Sequence, residues 1–360
     1  LPETYHFTAH SLLSSAIAAW PEAPTVLLRE HYRCHPKIIN FCNQKFYGGK
    51  LIVMTEDHEE PDVLTMYRTA PGNHARGHLN QRQIDVIRQE ILPSLERQGY
   101  GSIGIITPYR DQVAAIQTQL GKELEVATVH KFQGREKDAI VLTSVDNVIT
   151  DFVDDPRMLN VAVSRAVKSL TVVTSQDPQN DRTNYGDLAR YIEYNNCAVI
   201  ESTVYSVFDL LYQGYAEQRR DFLKKHGRVS EYDSENLAYA VIQKILQKAE
   251  FSFVDCAAHV SLVNLVKDYS VLTEEETAYA WNPLTHVDFL LFRRMDKSPL
   301  LAVEVDGAAF HAAGSVQANR DEKKNRIFGQ CGIPLLRLRT DGSGEEARIE
   351  QALRSAVSNS

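Results

Sequence analysis

The sequence is first narrowed by what it lacks. No run of about 18 apolar residues occurs, so there is no candidate membrane-spanning helix. The five cysteines (Cys34, Cys42, Cys197, Cys256 and Cys331) include no CxxC pair. Their odd number argues against a disulfide framework and their spacing against a zinc knuckle, which fits a reducing, cytoplasmic compartment. Basic residues are not in excess: 39 Lys and Arg stand against 47 Asp and Glu, a net charge of −8. That excludes a protein that coats nucleic acid through bulk charge, but not an enzyme with a local basic groove. Internal repeats and low-complexity tracts are missing, and Leu1-Pro2-Glu3-Thr4 offers neither a starting Met nor a signal-peptide pattern. No GxxxxGK[ST] loop occurs anywhere in the chain. What remains is an ordinary globular mix over 360 residues, 43% hydrophobic and 24% charged. At roughly 150 residues per domain this predicts two domains.

Three zones follow from the patterning. In residues 1–200, short Val-, Ile- and Thr-rich runs alternate with helical periods. Strands are predicted at Thr25–Leu28, Val63–Tyr67, Ile103–Thr107, Glu125–Val129, Ala139–Val145 and Leu170–Thr174. These runs are continuous rather than alternating, as strands covered on both faces are. Helices are predicted at Pro36–Phe46, Leu79–Gln98, Arg110–Leu120 and Pro156–Lys168, with Pro36 and Pro156 suited to the first turn. The alternation predicts an α/β fold with a parallel sheet and helices on both faces. Residues 201–230 read as a helical connector, Val204–Tyr215 and then the charged run Glu217–Arg228. Residues 231–360 read as a second α/β domain: a helix at Ser234–Lys248, a hairpin over His286–Gly307, a helix at Asn319–Gln330, a strand at Ile333–Arg339 and a closing helix.

Four local sequences in the first zone carry chemistry. They are Tyr32-Arg33-Cys34-His35-Pro36, Thr107-Pro108-Tyr109-Arg110-Asp111-Gln112, the run from Thr128 through Gln133-Gly134-Arg135-Glu136 to Asp138, and Asn160-Val161-Ala162-Val163-Ser164-Arg165-Ala166. Their order and spacing resemble the second RecA-like lobe of superfamily 1B helicases, the group that includes the nonsense-mediated-decay helicase. The resemblance implies that Arg33 and Arg165 stabilise charge developing on an NTP γ-phosphate, a task for which the permanently charged, two-pronged guanidinium is suited. It implies that Glu136 helps hold the nucleotide and that Thr128 and His130 contact the nucleic-acid strand. Gln112 follows a strand end, a usual ligand-facing place in an open α/β sheet, and is predicted to bind ATP. His130 replaces an acidic residue common in the family, and Ser164 a common Thr. The missing phosphate loop means no backbone cradle for the phosphates and no hydroxyl for Mg²⁺. Leu1-Pro2 resembles the tail of the Gln-Leu-Pro motif that closes the first lobe. The expectation is therefore a chain that binds ATP only in an intact protein with that lobe upstream, and that does not hydrolyse ATP by itself.

The third zone offers a different chemistry. A hairpin symmetric about Asp296 sets Asp288 opposite Glu304 and His286 opposite Asp306, all four on one face. Val287, Phe289, Leu291, Leu301, Val303 and Val305 then line the other. Two carboxylates facing across a strand pair lie with Cβ atoms about 5 Å apart and repel. A divalent cation converts that repulsion into coordination, with the Val305 carbonyl as a further ligand. The pattern resembles the PD-(D/E)XK, restriction-endonuclease-like nucleases of the very-short-patch-repair type. That resemblance makes Asp288 and Glu304 the two acidic positions and His311 the downstream histidine. It also marks Asp306 as standing where many members carry Lys. A basic group is available from the following helix, where Arg320 and Lys324 share a face and Lys323 is adjacent. Glu235, at the start of the domain's first helix, matches an extra acidic position of the fold.

The sequence thus predicts the C-terminal part of a DNA helicase–nuclease, with Mg²⁺ or Mn²⁺ as cofactor and RNA as the alternative substrate. The competing reading is a catalytically silent nucleic-acid-binding module attached to a helicase.

Overall fold

The structure, a computed structural model, describes residues 2–26, 28–72, 74–307 and 316–358. Two sheets organise it. The first is built from β1 (Leu64–Thr69), β2 (Ile103–Thr107), β3 (Glu125–Thr128), β4 (Lys137–Thr143), β5 (Ala166–Ser175) and β6 (Ala198–Glu201). They pair in the order β6-β1-β5-β4-β2-β3, and every pairing is parallel. Both faces are covered. Helices α1 (Pro36–Phe46), α3 (Pro156–Val163) and α4 (Asn184–Tyr194) pack on one face around Ile38, Leu159 and Leu188. The helical run from Gln81 to Gln98, interrupted by a π turn at Ile87–Ile91, packs with α2 (Arg110–Leu120) on the other, around Ile84, Ile91 and Ile116. This is the expected mixed α/β fold with a parallel central sheet, consistent with a RecA-like helicase domain.

Local differences from the expected elements have physical causes. Thr25–Leu28 forms no strand across its described residues: Val26 and Leu28 are exposed and have no ladder to join. The helix after Pro156 stops at Val163, capped by Ser164. Arg165 therefore lies in the turn before β5, not on a helix. The connector is not a long helix over Val204–Tyr215. It folds as short 3₁₀ turns around a Ser206–Asp209 capping box, and only α5 (Ala216–His226) is α-helical.

The second sheet runs β7-β8-β9-β10 with β7 (Val254–Ser261), β8 (His286–Arg293), β9 (Pro299–Asp306) and β10 (Leu335–Arg339). The first two pairings are antiparallel and the last parallel. On one face, α6 (Asp233–Leu246) and α9 (Glu345–Ser358) bury Leu237, Ile242, Ile349 and Leu353 against Phe289 and Val303. On the other, α7 (Glu274–Trp281) and α8 (Val316–Gln330) cover Leu290, Ala302 and Val287. Val287 thus packs with the opposite cluster from the one its parity assigned. Strand β7, which the sequence reading did not mark, closes the sheet on the β8 side.

A buried polar seam joins the zones. Arg82 has no exposed surface. It donates to both carboxylate oxygens of Asp209 at 3.0 and 2.8 Å, and to the carbonyls of Val204 and Gly342 at 3.2 Å. Ser343 Oγ donates to Asp85 at 2.6 Å, and Ser206 Oγ to Glu345 at 2.9 Å. No helix among the described residues is long and apolar enough to cross a membrane.

Candidate functional sites

The β8–β9 hairpin has the symmetric register from Leu291↔Leu301 to Phe289↔Val303 but shifts toward the turn at Phe292↔Pro299, and the paired positions stop at Phe289↔Val303. Asp288 and Glu304 stand just past the last pair, where β8 stays with β7 and β9 stays with β10. His286 is correspondingly paired with Ser261, and Asp306 with Arg339, rather than with each other. A fork therefore opens at the acidic residues. Together with Glu235, Val305, Arg320 and Lys324, among others, the four polar hairpin residues line one pocket of about 570 Å³.

The acids are buried and closely attended. Asp288 is 9% exposed and Glu304 6%. The Val305 amide donates to Asp288 Oδ2 at 2.8 Å. Lys324, from α8, places Nζ 2.8 Å from both oxygens of Glu304 and 2.8 Å from the His286 carbonyl. Burial first, and the neighbouring Asp288 charge second, push the Glu304 carboxyl up to about 7 against the pull of Lys324. Burial also raises Glu235, whose Oε2 is buried with no hydrogen-bond partner. His259 Nε2 lies 3.5 Å from that oxygen, and its ring meets His286 edge to face at 5.1 Å. His259 sits across from Asp288 in β7 with φ of +52°, an uncommon strand conformation for a residue with a side chain. It escaped the sequence reading because β7 itself did.

Asp306 lines the same pocket with its carboxylate paired to a cation. Arg337 of β10 holds it at 2.8 Å and reaches Asp321 at 3.4 Å. The parallel register sets Glu304 against Arg337 and Asp306 against Arg339, which brings these cations to the acidic strand. Arg320 lines the pocket with its side chain exposed. His311 lies outside the described residues.

The donor set suits a hard divalent cation: buried carboxylate oxygens, with one, Glu235 Oε2, left unsatisfied. Among the described residues, the one trio of His, Cys, Asp or Glu with mutually close ligand atoms lies elsewhere, at His35, Asp57 and Glu60. There the Lys37 amide donates to His35 Nδ1 at 3.1 Å, capping α1. This assigns the proton to Nε2, which faces Glu60 at 3.2 Å and Asp57 at 3.3 Å as a donor. That trio is a hydrogen-bonded cap.

In the first zone, Arg33 and Arg165 come together at the amino end of the parallel sheet. Arg33 donates to Glu136 at 3.2 Å and to the Ser164 carbonyl at 2.8 Å. Arg165 donates to the Val161 carbonyl and to Ser164 Oγ, both at 3.1 Å. Burial, and then the Arg33 charge, lower the Arg165 pKa. Tyr32 is exposed beside them. Its hydroxyl is held by Glu30 at 2.5 Å. Gln112 is a correction. It has no exposed surface, and its amide clamps the backbone of Asn80, accepting from N at 2.9 Å and donating to O at 3.4 Å. It also lies beyond the carboxyl end of β2, at the opposite end of the sheet from the arginines. Its work is structural, not contact with a nucleotide. Thr128 ends β3 half-buried, with exposed His130 in the following turn.

Comparison with known proteins agrees with the first zone. Residues 8–177 match the family model described as an AAA domain, and residues 231–357 match a family described as a protein of unknown function, DUF2726. A 5′-3′ DNA helicase, ZGRF1 of Mus musculus, is 29% identical over 187 residues, 47% of this chain and 10% of that protein. The regulator of nonsense transcripts 1 homolog of Arabidopsis thaliana is 28% identical over 204 residues, 48% of this chain and 16% of that protein. The DNA polymerase alpha-associated DNA helicase A of Saccharomyces cerevisiae is 27% identical over 207 residues, 47% of this chain and 30% of that protein. The chain thus spans between a tenth and three tenths of the length of these relatives. Over about half of its length the chain is thus similar to helicases of this kind.

Proposed function

We propose that the C-terminal domain hydrolyses phosphodiester bonds of DNA with a divalent metal, and that the helicase region delivers the strand. The observation behind this is the convergence of Asp288, Glu304 and Lys324 from three elements in one pocket, beside an unsatisfied Glu235 oxygen. Asp288, Glu304 and the Val305 carbonyl would hold Mg²⁺ or Mn²⁺, which supplies charge neutralisation and an activated water. The chain's own groups supply the rest. Lys324, fixed at its ammonium by Glu304 and the His286 carbonyl, presents a fixed positive charge to a phosphate oxygen. Arg320, one helical turn earlier, faces the same pocket and suits a second phosphate contact. Burial and the Asp288 charge raise the Glu304 carboxyl, so metal binding there would release a proton near neutrality. In an intact motor with a phosphate-binding lobe, Arg33 and Arg165 would meet ATP, and Glu136 would release Arg33 to do so.

A second reading has one observation in its favour: Lys324 already engages both Glu304 oxygens, and Arg337 engages Asp306. On that reading the domain binds nucleic acid without cutting it. Incubation with labelled single- and double-stranded DNA and Mn²⁺ separates the two. Cutting that disappears in Asp288→Asn and Glu304→Gln supports the nuclease. Binding without cutting under any divalent metal supports the silent module, and cutting that survives both substitutions refutes the site.

A further inference from the structure

Three aromatic rings from three chain segments stack at the carboxyl end of the parallel sheet. Tyr109 is the middle ring, 4.3 Å from His78 with planes 8° apart, and 5.5 Å from Phe152 with planes 27° apart. Each ring is held. Tyr109 follows the end of β2, and its hydroxyl donates to Asp146 Oδ2 at 3.2 Å. That same oxygen accepts from Thr150 Oγ1 at 2.7 Å and Thr150 N at 3.3 Å, which ties down the turn leading to Phe152. His78 sits on the tight hairpin of Ala75–Arg76 and Leu79–Asn80, where Gly77 takes φ of +60°. The buried clamp from Gln112 to Asn80 anchors that hairpin, as does Asn80 Nδ2 donating to the Val145 carbonyl at 2.6 Å. The Asp111 carboxylate lies 3.8 Å from His78 Nδ1.

The two outer rings nevertheless stay open. The His78 side chain is 63% exposed, and Phe152 is 53% exposed. A fixed ladder with open ends presents flat π-faces whose natural continuation is another flat ring. Thr107 is the register partner of Thr128, so the Thr128–His130 turn stands beside the ladder, and exposed Arg110 and Lys131 lie at the same end of the sheet. Cations to follow a backbone and rings to receive bases are the two parts of a single-strand platform.

We propose that the outer faces of the His78–Tyr109–Phe152 ladder stack bases of a single-stranded nucleic acid. The proposal rests on the nucleic-acid-binding reading of the helicase region and names where bases are gripped. It is tested by fluorescence anisotropy of the whole chain at fixed salt with two probes: a 20-nucleotide thymidine strand, and an abasic strand of equal length and charge. The unaltered chain is expected to bind the base-bearing strand more tightly. Phe152→Ala is expected to weaken that binding roughly ten-fold, leaving the abasic strand and the thermal midpoint unchanged, while Phe152→Trp retains it. His78→Ala is a second probe that does not depend on the folding of the first. Equal affinity of Phe152→Ala, His78→Ala and the unaltered chain for the thymidine strand overturns the proposal alone. Failure of the unaltered chain to bind either strand overturns the nucleic-acid reading, and this proposal with it.

Discussion

Lys324 and Glu304 meet through both carboxylate oxygens, each 2.8 Å from the ammonium nitrogen, across 20 residues of chain. The pairing places a helix-borne cation where the strand-borne residue two positions after Glu304 is Asp306, itself engaged by Arg337. The ammonium both neutralises Glu304 and competes with any metal for its oxygens. Lys324→Ala is therefore expected to tighten Mn²⁺ binding while slowing cleavage by about 10²-fold, through loss of a fixed charge at the phosphate. Mn²⁺ titration and single-turnover cleavage on the same preparation check the two halves. A variant unchanged in both would contradict this role.

Fully buried Arg82 pairs with Asp209, whose side chain is 13% exposed, at the junction of the zones. Arg82→Met removes the cation facing Asp209, which keeps the Ser206 amide and His74 as neighbours, with an expected loss of up to about 3 kcal/mol in unfolding free energy. The double variant Arg82→Met with Asp209→Leu is expected to recover much of it. Urea unfolding of the two single variants and the double variant measures the coupling.

His74 lies buried in the same seam, 3.4 Å from Asp209, with burial first and Arg82 second lowering its pKa to about 4. Between about 6.5 and 4 the unfolded chain takes up a proton that the folded chain refuses. This contribution is full above pH 6.5 and is lost as pH falls towards 4. The shift corresponds to about 3 kcal/mol at most. His74→Leu is expected to reduce the drop in unfolding free energy between pH 7.5 and pH 5 relative to the unaltered chain. An identical drop in both would contradict it.

Gln112 spends both ends of its amide on Asn80. Gln112→Leu strands a buried backbone N–H, with an expected cost of about 1–3 kcal/mol. It also loosens the hairpin that carries His78. A lowered thermal midpoint together with weaker single-strand binding is expected. An unchanged midpoint would contradict the clamp.

Much of the fold was legible because the signals were local. Ile103–Thr107 reads as a strand buried on both faces, and Pro36–Phe46 and Arg110–Leu120 as periodic helices; all three stand as expected. Lys324 is reachable through the nuclease resemblance, which calls for a basic group, together with its helical spacing from Arg320. What escaped depends on partners distant in sequence. Asp255-Cys256-Ala257-Ala258 has little strand preference, and becomes β7 by pairing with β8. Gln112 reads as ligand-facing from its place after a strand, but it is buried and its amide is engaged by Asn80, 32 residues away. The pairing of Asp306 with Arg337 required the parallel β9–β10 register, which no local pattern encodes.

Mn²⁺ titration calorimetry on the whole chain tests the metal site most directly. One ion per chain is expected, lost in Asp288→Asn and in Glu304→Gln and retained in His35→Ala. No binding at all, or binding that survives both acid substitutions and disappears with His35→Ala, would contradict a metal centre between β8 and β9.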